Sequence, residues 1–400
     1  MDNQTDKTII EVLAESIDIP ESIYEKVEQR YRDLGKWLGR DNSVCAPHDP
    51  HVFPQGSFRL GTVVRPLSGE DEYDLDLACE LQKGIAKSTH SQEQLKNLVG
   101  VEVESYRNYR AIEDEKEEKH RCWRLLYKDD IKFHIDIVPC IPEEEQKRQN
   151  IRAAMTKRGS EELLAESVSA FTVAITDNRH PYYRSLADEW NISNPEGYAR
   201  WFEFRMKLAQ YFLEKRVLVT KAASVDELPT YRWKTPLQRC VQILKRHRDV
   251  MFIDHLEAKP TSVIITTLAA EAYAGETNVD EAIRNILRNI ESLISRQSPR
   301  IPNPVNPAED FAEKWGAREG LSIRLEDNFW MWVEQAKTDF EIIKSSDNLQ
   351  FITQQATEKF AASPDVSVLK GALGVAVPTI MVKPKSHNIV TPPKPWMRYG

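Results

Sequence analysis

The chain has no apolar run approaching the roughly 18 residues a membrane-spanning helix needs, no C-x-x-C pair and no excess of positive charge. The first absence argues against a helical membrane protein, and the polar, acidic opening MDNQTDKT argues against a secretory leader. The five cysteines (Cys45, Cys79, Cys122, Cys140, Cys240) are odd in number and widely spaced. They supply neither a disulfide framework nor a zinc-site pattern, so the expected setting is a reducing cytoplasm, with no membrane partner. A formal charge of −8 argues against a protein that coats duplex DNA, because phosphate binding needs concentrated Lys and Arg. Local basic clusters remain, Arg30, Arg32, Lys36 and Arg40 near the start and Lys245, Arg246 and Arg248 later, but such clusters are commonly solvated helix faces. No internal repeat and no low-complexity array is present.

What is present is 400 residues, 41% hydrophobic and 29% charged, enough for two packed subdomains. Apolar positions at helical spacing, broken at Ile19-Pro20, predict a short helix and then a long one over residues 5–40. From His51 to Pro142 the pattern predicts strands: Val63-Val64, Asp74 to Leu77, Val101 to Tyr109, Trp123 to Tyr127 and Ile131 to Val138, with a hairpin loop over Glu113 to His120. Beyond Pro142 it predicts helices over 143–170, 195–215, 235–252, 260–273, 278–295, 308–315 and 327–345. The third starts with Thr235-Pro236, a cap followed by the favoured first-turn proline. The fold class is therefore α+β, a mixed sheet core with a mainly helical second lobe.

The residues that carry chemistry sit in the strand-rich half. Side chains alternate along a strand, so Asp74 and Asp76 in EYDLDL share one face while Leu75 and Leu77 take the other. In IKFHIDIVP, His134 and Asp136 share a face in the same way. If the two strands are neighbours, three carboxylates converge. Like charges about 4 Å apart repel by about 1 kcal/mol in water and about 4 kcal/mol near a protein surface, which a divalent cation relieves. Oxygen ligands without cysteine suit Mg²⁺, with Mn²⁺ as a substitute, and such ions serve phosphoryl and nucleotidyl transfer. Upstream, Gly56-Ser57 can bring backbone N–H groups and a hydroxyl close to phosphate, especially if a helix opens there.

GSFRLGT, EYDLDL and HIDIVP together resemble the signature of the polymerase-β-like nucleotidyltransferases. SNPEGYARWFE (193–203), TPLQRCVQILKRHRD (235–249) and KPTSVIITTLAAEAY (259–273) narrow the resemblance to the cGAS/DncV-like branch, the CD-NTases of bacterial CBASS anti-phage signalling. The resemblance covers roughly residues 50–320. It implies a Mg²⁺-dependent synthase that joins nucleoside triphosphates into a cyclic di- or trinucleotide messenger read by a downstream effector. It implies Asp74, Asp76 and Asp136 as the catalytic, metal-binding triad and Gln55, Gly56 and Ser57 as the loop on the donor triphosphate. Lys245 and Ser262 match the lysine and serine that contact the phosphates in relatives. Periodicity supports the lysine: Leu237, Val241 and Leu244 form one stripe of the helix, and Gln238, Gln242, Lys245 and Asp249 the next. His134 is read as packing or as a contact to substrate.

The implied division is an N-terminal spine (1–45), a catalytic core (46–180), an oligoadenylate-synthetase-like helical lobe (181–345), a packing segment (346–381) and a flexible proline-rich tail (382–400). The zinc-ribbon insertion of animal cGAS is missing, which removes the reason to expect activation by DNA. In some of these operons an E1/E2-like ligase conjugates the C-terminus, a role that Gly400 would suit. The competing readings are a template-independent RNA-end or tRNA nucleotidyltransferase on the same triad, and a non-catalytic nucleotide sensor on the same fold.

Overall fold

The computed structural model describes residues 7–68, 72–128, 132–207 and 234–374. Two helices open it, α1 (Ile9–Ser16) and α2 (Glu21–Leu38), separated at Ile19-Pro20 as the break in periodicity requires. They go to different places. Ile10, Leu13, Ala14 and Ile17 join the core of the helical half, whereas Val27, Tyr31, Leu34 and Leu38 pack on the sheet.

The sheet is built from β1 (Pro50–Pro54), β2 (Tyr73–Leu81), β3 (Glu117–Glu118), β4 (Trp123–Tyr127) and β5 (Phe133–Pro142) in the order β1-β2-β5-β4-β3. β2 and β5 are parallel and the other neighbours antiparallel, so the sheet is mixed. β6 (Val173–Ile175) pairs with the end of β5 that β4 does not reach, and β7 (Asn191–Ser193) pairs with β6. Leu75, Leu77, Ile135 and Ile137 are fully buried on one face under α2 and α4 (Gln92–Tyr109). Burying both strands' leucines and isoleucines on that side commits the intervening aspartates to the opposite face.

Val101 to Tyr109, expected as a strand, is the second half of α4. Ser91 and Gln94 close a capping box at its start, and Leu95, Val99, Val103 and Tyr106 form a buried stripe at helical spacing. The alternation Val101-Glu102-Val103 mimics a strand only because Val101 faces solvent, 58% exposed. Val63-Val64 is irregular chain rather than a strand. The helix expected over 143–170 is two, α5 (Glu145–Lys157) and α6 (Glu162–Ser169), parted at Gly159, which holds a left-handed φ of 101°.

The second half is helical: α7 (Pro195–Met206), α8 (Pro236–Met251), α9 (Ser262–Ala272), α10 (Val279–Leu293), α11 (Arg318–Ser322), α12 (Leu325–Lys344), α13 (Leu349–Phe360) and α14 (Val366–Ala372). The cap expected at Thr235-Pro236 is present, with Gln238 completing the box. Residues 308–315, expected as a helix, are instead the end of a small hairpin, β8 (Pro302–Asn303) with β9 (Asn306–Asp310), followed by a single tight turn. Pro302, Pro304 and Pro307 hold the approach to that stretch extended, because each proline keeps the residue before it out of the helical region. All five cysteines are buried and free.

Candidate active site

β2 and β5 run side by side in a register that sets Asp74 opposite His134 and Asp76 opposite Asp136. β4 adds Arg124 opposite Asp136 on the other side. Three adjacent strands thus carry Asp76, Asp136 and Arg124 in one row, with Asp74 and His134 one pleat away. Oxygens of Asp74 and Asp136 and a ring nitrogen of His134 lie within 4.8 Å of one another. Arg124 holds both oxygens of Asp136, Nε to Oδ1 at 2.6 Å and Nη2 to Oδ2 at 2.7 Å. His134 spans two acids, Nε2 at 2.9 Å from Asp74 Oδ1 and Nδ1 at 3.1 Å from Glu72 Oε2.

Among the described residues the acids here outnumber their cations. Burial, with the charges of Asp74 and Asp136 added, pushes the Asp76 carboxyl up to about 7. The site therefore favours whatever brings positive charge to the three carboxylates. Their chemistry, hard oxygens with no cysteine ligand, fits a divalent cation. Each oxygen of Asp136 gives Arg124 one lone pair and keeps another for a cation.

The Gly-Ser turn lies directly against this row. The Gln55 N–H donates to the Asp76 carbonyl at 2.8 Å, and the chain then enters a five-residue helix, α3 (Gly56–Leu60). Gly56 has φ 64°, and a Cβ there would collide with Asp76 Oδ2. Only glycine allows the turn both its backbone angle and its closeness to the carboxylate. Arg59, at the end of α3, reaches into α7: its guanidinium bonds Glu196 through Nε and Nη2, each at 3.2 Å, and Glu203 through Nη1 at 2.5 Å.

α8 forms the other wall. Three of its side chains bond carbonyls of the segment after α3: Gln238 to Leu60 at 2.9 Å, Gln242 to Val63 at 2.6 Å and Lys245 to Thr62 at 2.9 Å. That explains why the polar stripe adjoining Leu237, Val241 and Leu244 is itself buried. Burial and the neighbouring Arg248 push the Lys245 ammonium down to about 8. Ser262, the first residue of α9, accepts from Arg248 Nη1 at 3.0 Å.

A cleft of about 350 Å³ joins these parts; Gln55, Gly56, Ser57, Asp74, Asp76, Lys245 and Ser262 all line it. Asp136 stands in the same row beneath Asp76, buried. Sequence reasoning missed the far wall, Tyr198 with Asn303, Glu309 and Phe311. The hairpin residues were hidden by the helical reading of 308–315. Arg124 was also missed; period-2 alternation in WRLLY puts it on the face opposite the buried Trp123 and Leu125, but only the pairing of β4 with β5 shows which acid it meets. Gly400 lies outside the described residues. Among the described residues no helix is long and apolar enough to cross a membrane.

Residues 50–140 match the family model described as cyclic GMP-AMP synthase DncV-like, nucleotidyltransferase domain. The chain is 30% identical over 308 residues to a c-di-GMP synthase of Roseivirga ehrenbergii, covering 76% of this chain and 71% of that one. A cyclic dinucleotide synthase, CdnG, of Bradyrhizobium diazoefficiens is 23% identical over 326 residues, 77% of this chain and 69% of that one. The fold is that of the B. diazoefficiens CdnG structure in complex with GTP, with a TM-score of 0.59 at 19% identity over 92% of this chain and 97% of that one. It also matches Vibrio cholerae DncV in complex with ATP, GTP and 5MTHFGLU2, with a TM-score of 0.51 at 16% identity over 91% and 84% of the two chains.

Proposed function

The chain belongs to the DncV-like CD-NTase nucleotidyltransferases, and we propose that it is a cyclic dinucleotide synthase that joins two nucleoside triphosphates and releases pyrophosphate. The observation that carries this is the single cleft in which the Gly56-Ser57 turn, Lys245 and Ser262 face Asp74 and Asp76. One side suits the triphosphate of a donor nucleotide and the other the hydroxyl that attacks it.

Asp74, Asp76 and Asp136 would hold Mg²⁺, for which Mn²⁺ can substitute; when bound, it lowers the pKa of the attacking hydroxyl and offsets charge on the leaving pyrophosphate. The remaining work falls to the chain. Ser57 and the backbone of the glycine turn bind the donor phosphates, and Lys245 and Ser262 hold them from the α8 and α9 side. Tying Lys245 to the Thr62 carbonyl keeps its ammonium aimed at the turn instead of at solvent. Arg124 fixes the plane of the Asp136 carboxylate, the group nearest the attacking hydroxyl in this scheme. A second transfer in the same cleft closes the ring, and the product acts as a messenger to an effector in anti-phage defence.

The test is to incubate the full chain with labelled triphosphates and Mg²⁺ or Mn²⁺ and to analyse the products by phosphatase treatment and mass spectrometry. The reading expects a phosphatase-resistant dinucleotide of ring mass. Extended RNA ends, or triphosphates left intact with both metals, would overturn it.

A further inference from the structure

The far wall of the cleft is built differently from the phosphate side. There the small hairpin β8–β9 brings in Asn303, Glu309 and, just after it, Phe311. Phe311 meets Tyr198 of α7 edge to face, with ring centroids 6.3 Å apart, and Tyr198 is fixed by a 2.8 Å hydrogen bond between its hydroxyl and Thr267. Two restrained aromatic rings beside a phosphate-binding turn form a surface on which a purine can stack.

Glu309 is the acidic group of this wall. Asn303, itself buried, donates from Nδ2 to Glu309 Oε2 at 2.8 Å, while its own Oδ1 accepts from the Val305 N–H at 3.0 Å. The amide is thereby locked in the orientation that presents a donor to the carboxylate. One lone pair of Oε2 is used, and the rest of the carboxylate is left to accept from a ligand. Burial raises the Glu309 carboxyl, which Asn303 and the more distant Arg121 oppose.

A carboxylate discriminates among bases by donor pattern. The Watson–Crick edge of guanine offers N1–H and the 2-amino N–H side by side, a match for two carboxylate oxygens. Adenine offers an acceptor at N1, which would face a carboxylate lone pair. Cytosine has one amino donor beside an acceptor, and uracil one N–H between two carbonyls. A buried polar group left without its partner makes such a site reject the wrong ligand strongly.

We propose that Glu309, held by Asn303, reads guanine through its N1–H and 2-amino groups and makes GTP the nucleotide this cleft selects. The proposal rests on the synthase reading for the presence of a nucleotide in the cleft, and it adds the base and the residue that chooses it.

The experiment uses the full chain and measures equilibrium binding of labelled GTP, ATP, ITP and 2′-deoxy-GTP with Ca²⁺ in place of Mg²⁺, alongside product formation from each with Mg²⁺. Glu309→Gln is nearly isosteric; Glu309→Asp, with thermal melting of both, separates loss of recognition from loss of fold. In the parent protein GTP should bind at least about tenfold more tightly than ATP, with ITP between them because it lacks the 2-amino group. Glu309→Gln should bring GTP and ATP within about twofold by weakening GTP, with ATP binding unchanged. A GTP preference that survives in both folded variants overturns the proposal. So does an equal loss for GTP and ATP that 2′-deoxy-GTP escapes, since the carboxylate would then be holding ribose. GTP-selective binding that depends on Glu309 without any cyclic product would sink the synthase reading and leave this one standing. Cyclic product made as readily from ATP, whatever stands at position 309, would do the reverse.

Discussion

Two ionic clusters sit on either side of the Gly-Ser turn, and they are composed in opposite ways. Arg59 and Arg200 meet Glu196 and Glu203 across α3 and α7, two cations for two carboxylates. On the sheet face, Asp74, Asp76 and Asp136 meet, among the described residues, one guanidinium, that of Arg124, with His134 lodged between Asp74 and Glu72. The first cluster is complete within the chain and ties the turn to the helical half. The second, among the described residues, is short of positive charge. A buried set of ions with matched partners serves the fold, whereas one left short of cations holds a place for a ligand.

That contrast can be broken by substitution. The largest effect expected is from Asp76→Asn, which should reduce cyclic product to background. Its metal-free melting temperature should stay level or rise, because a repulsive charge is gone, and the upward shift expected from Mg²⁺ in the parent protein should be absent from the variant in the same melting assay. A fall in metal-free stability would show that the sheet cluster is structural after all. Arg59→Met should do the opposite, destabilising the chain by about 1–3 kcal/mol in urea unfolding because it leaves Glu196 in the interior with Arg200 alone and removes the tie from the turn to α7. Loss of activity there should follow loss of fold.

Smaller effects sharpen the picture of the turn between the clusters. Lys245→Gln should weaken triphosphate binding about tenfold or more. With the ammonium held near 8, its charge is present below that pH and lost above it, so affinity in the parent protein should fall as pH rises through about 8. The variant should lose that dependence, and titration calorimetry at pH 7 and 9 reads both. Gly56→Ala should cost about 1–2 kcal/mol from its left-handed φ alone. Its displacement of Asp76 should lower turnover by more than its melting temperature suggests.

The face of the sheet that carries the aspartates was legible because alternation in YDLDL and FHIDI leaves a two-residue repeat no choice of side once the leucines and isoleucines are buried. Helix α8 was legible too, with its cap, its proline and its stripe of apolar residues. The strand expected at Val101 to Tyr109 failed because a partly exposed helix with valines at successive odd positions carries both periods, and only the Ser91 cap, ten residues upstream, separates them. The far wall failed for a different reason. Asn303, Glu309 and Phe311 reach the cleft by long-range placement of a short hairpin, and no local period records that. Arg124 lies between these cases: its face could be read, but its partner depended on strand pairing.

The way α1 and α2 part company at Ile19-Pro20 bears on how the molecule is made. The first helix belongs to a core shared with α8, α10, α12 and α13, and Val12 packs on Leu369 of α14, which ends at Ala372. On a ribosome adding about 5–20 residues per second, Ile10, Leu13 and Ile17 emerge roughly 18–72 s before that final neighbour does. During this interval the greasy face of that helix waits uncovered while the sheet that follows it in the chain can already assemble. Synthesis order and packing order are thus interleaved, and neither half of this enzyme can be cut out as one continuous piece without leaving a helix behind.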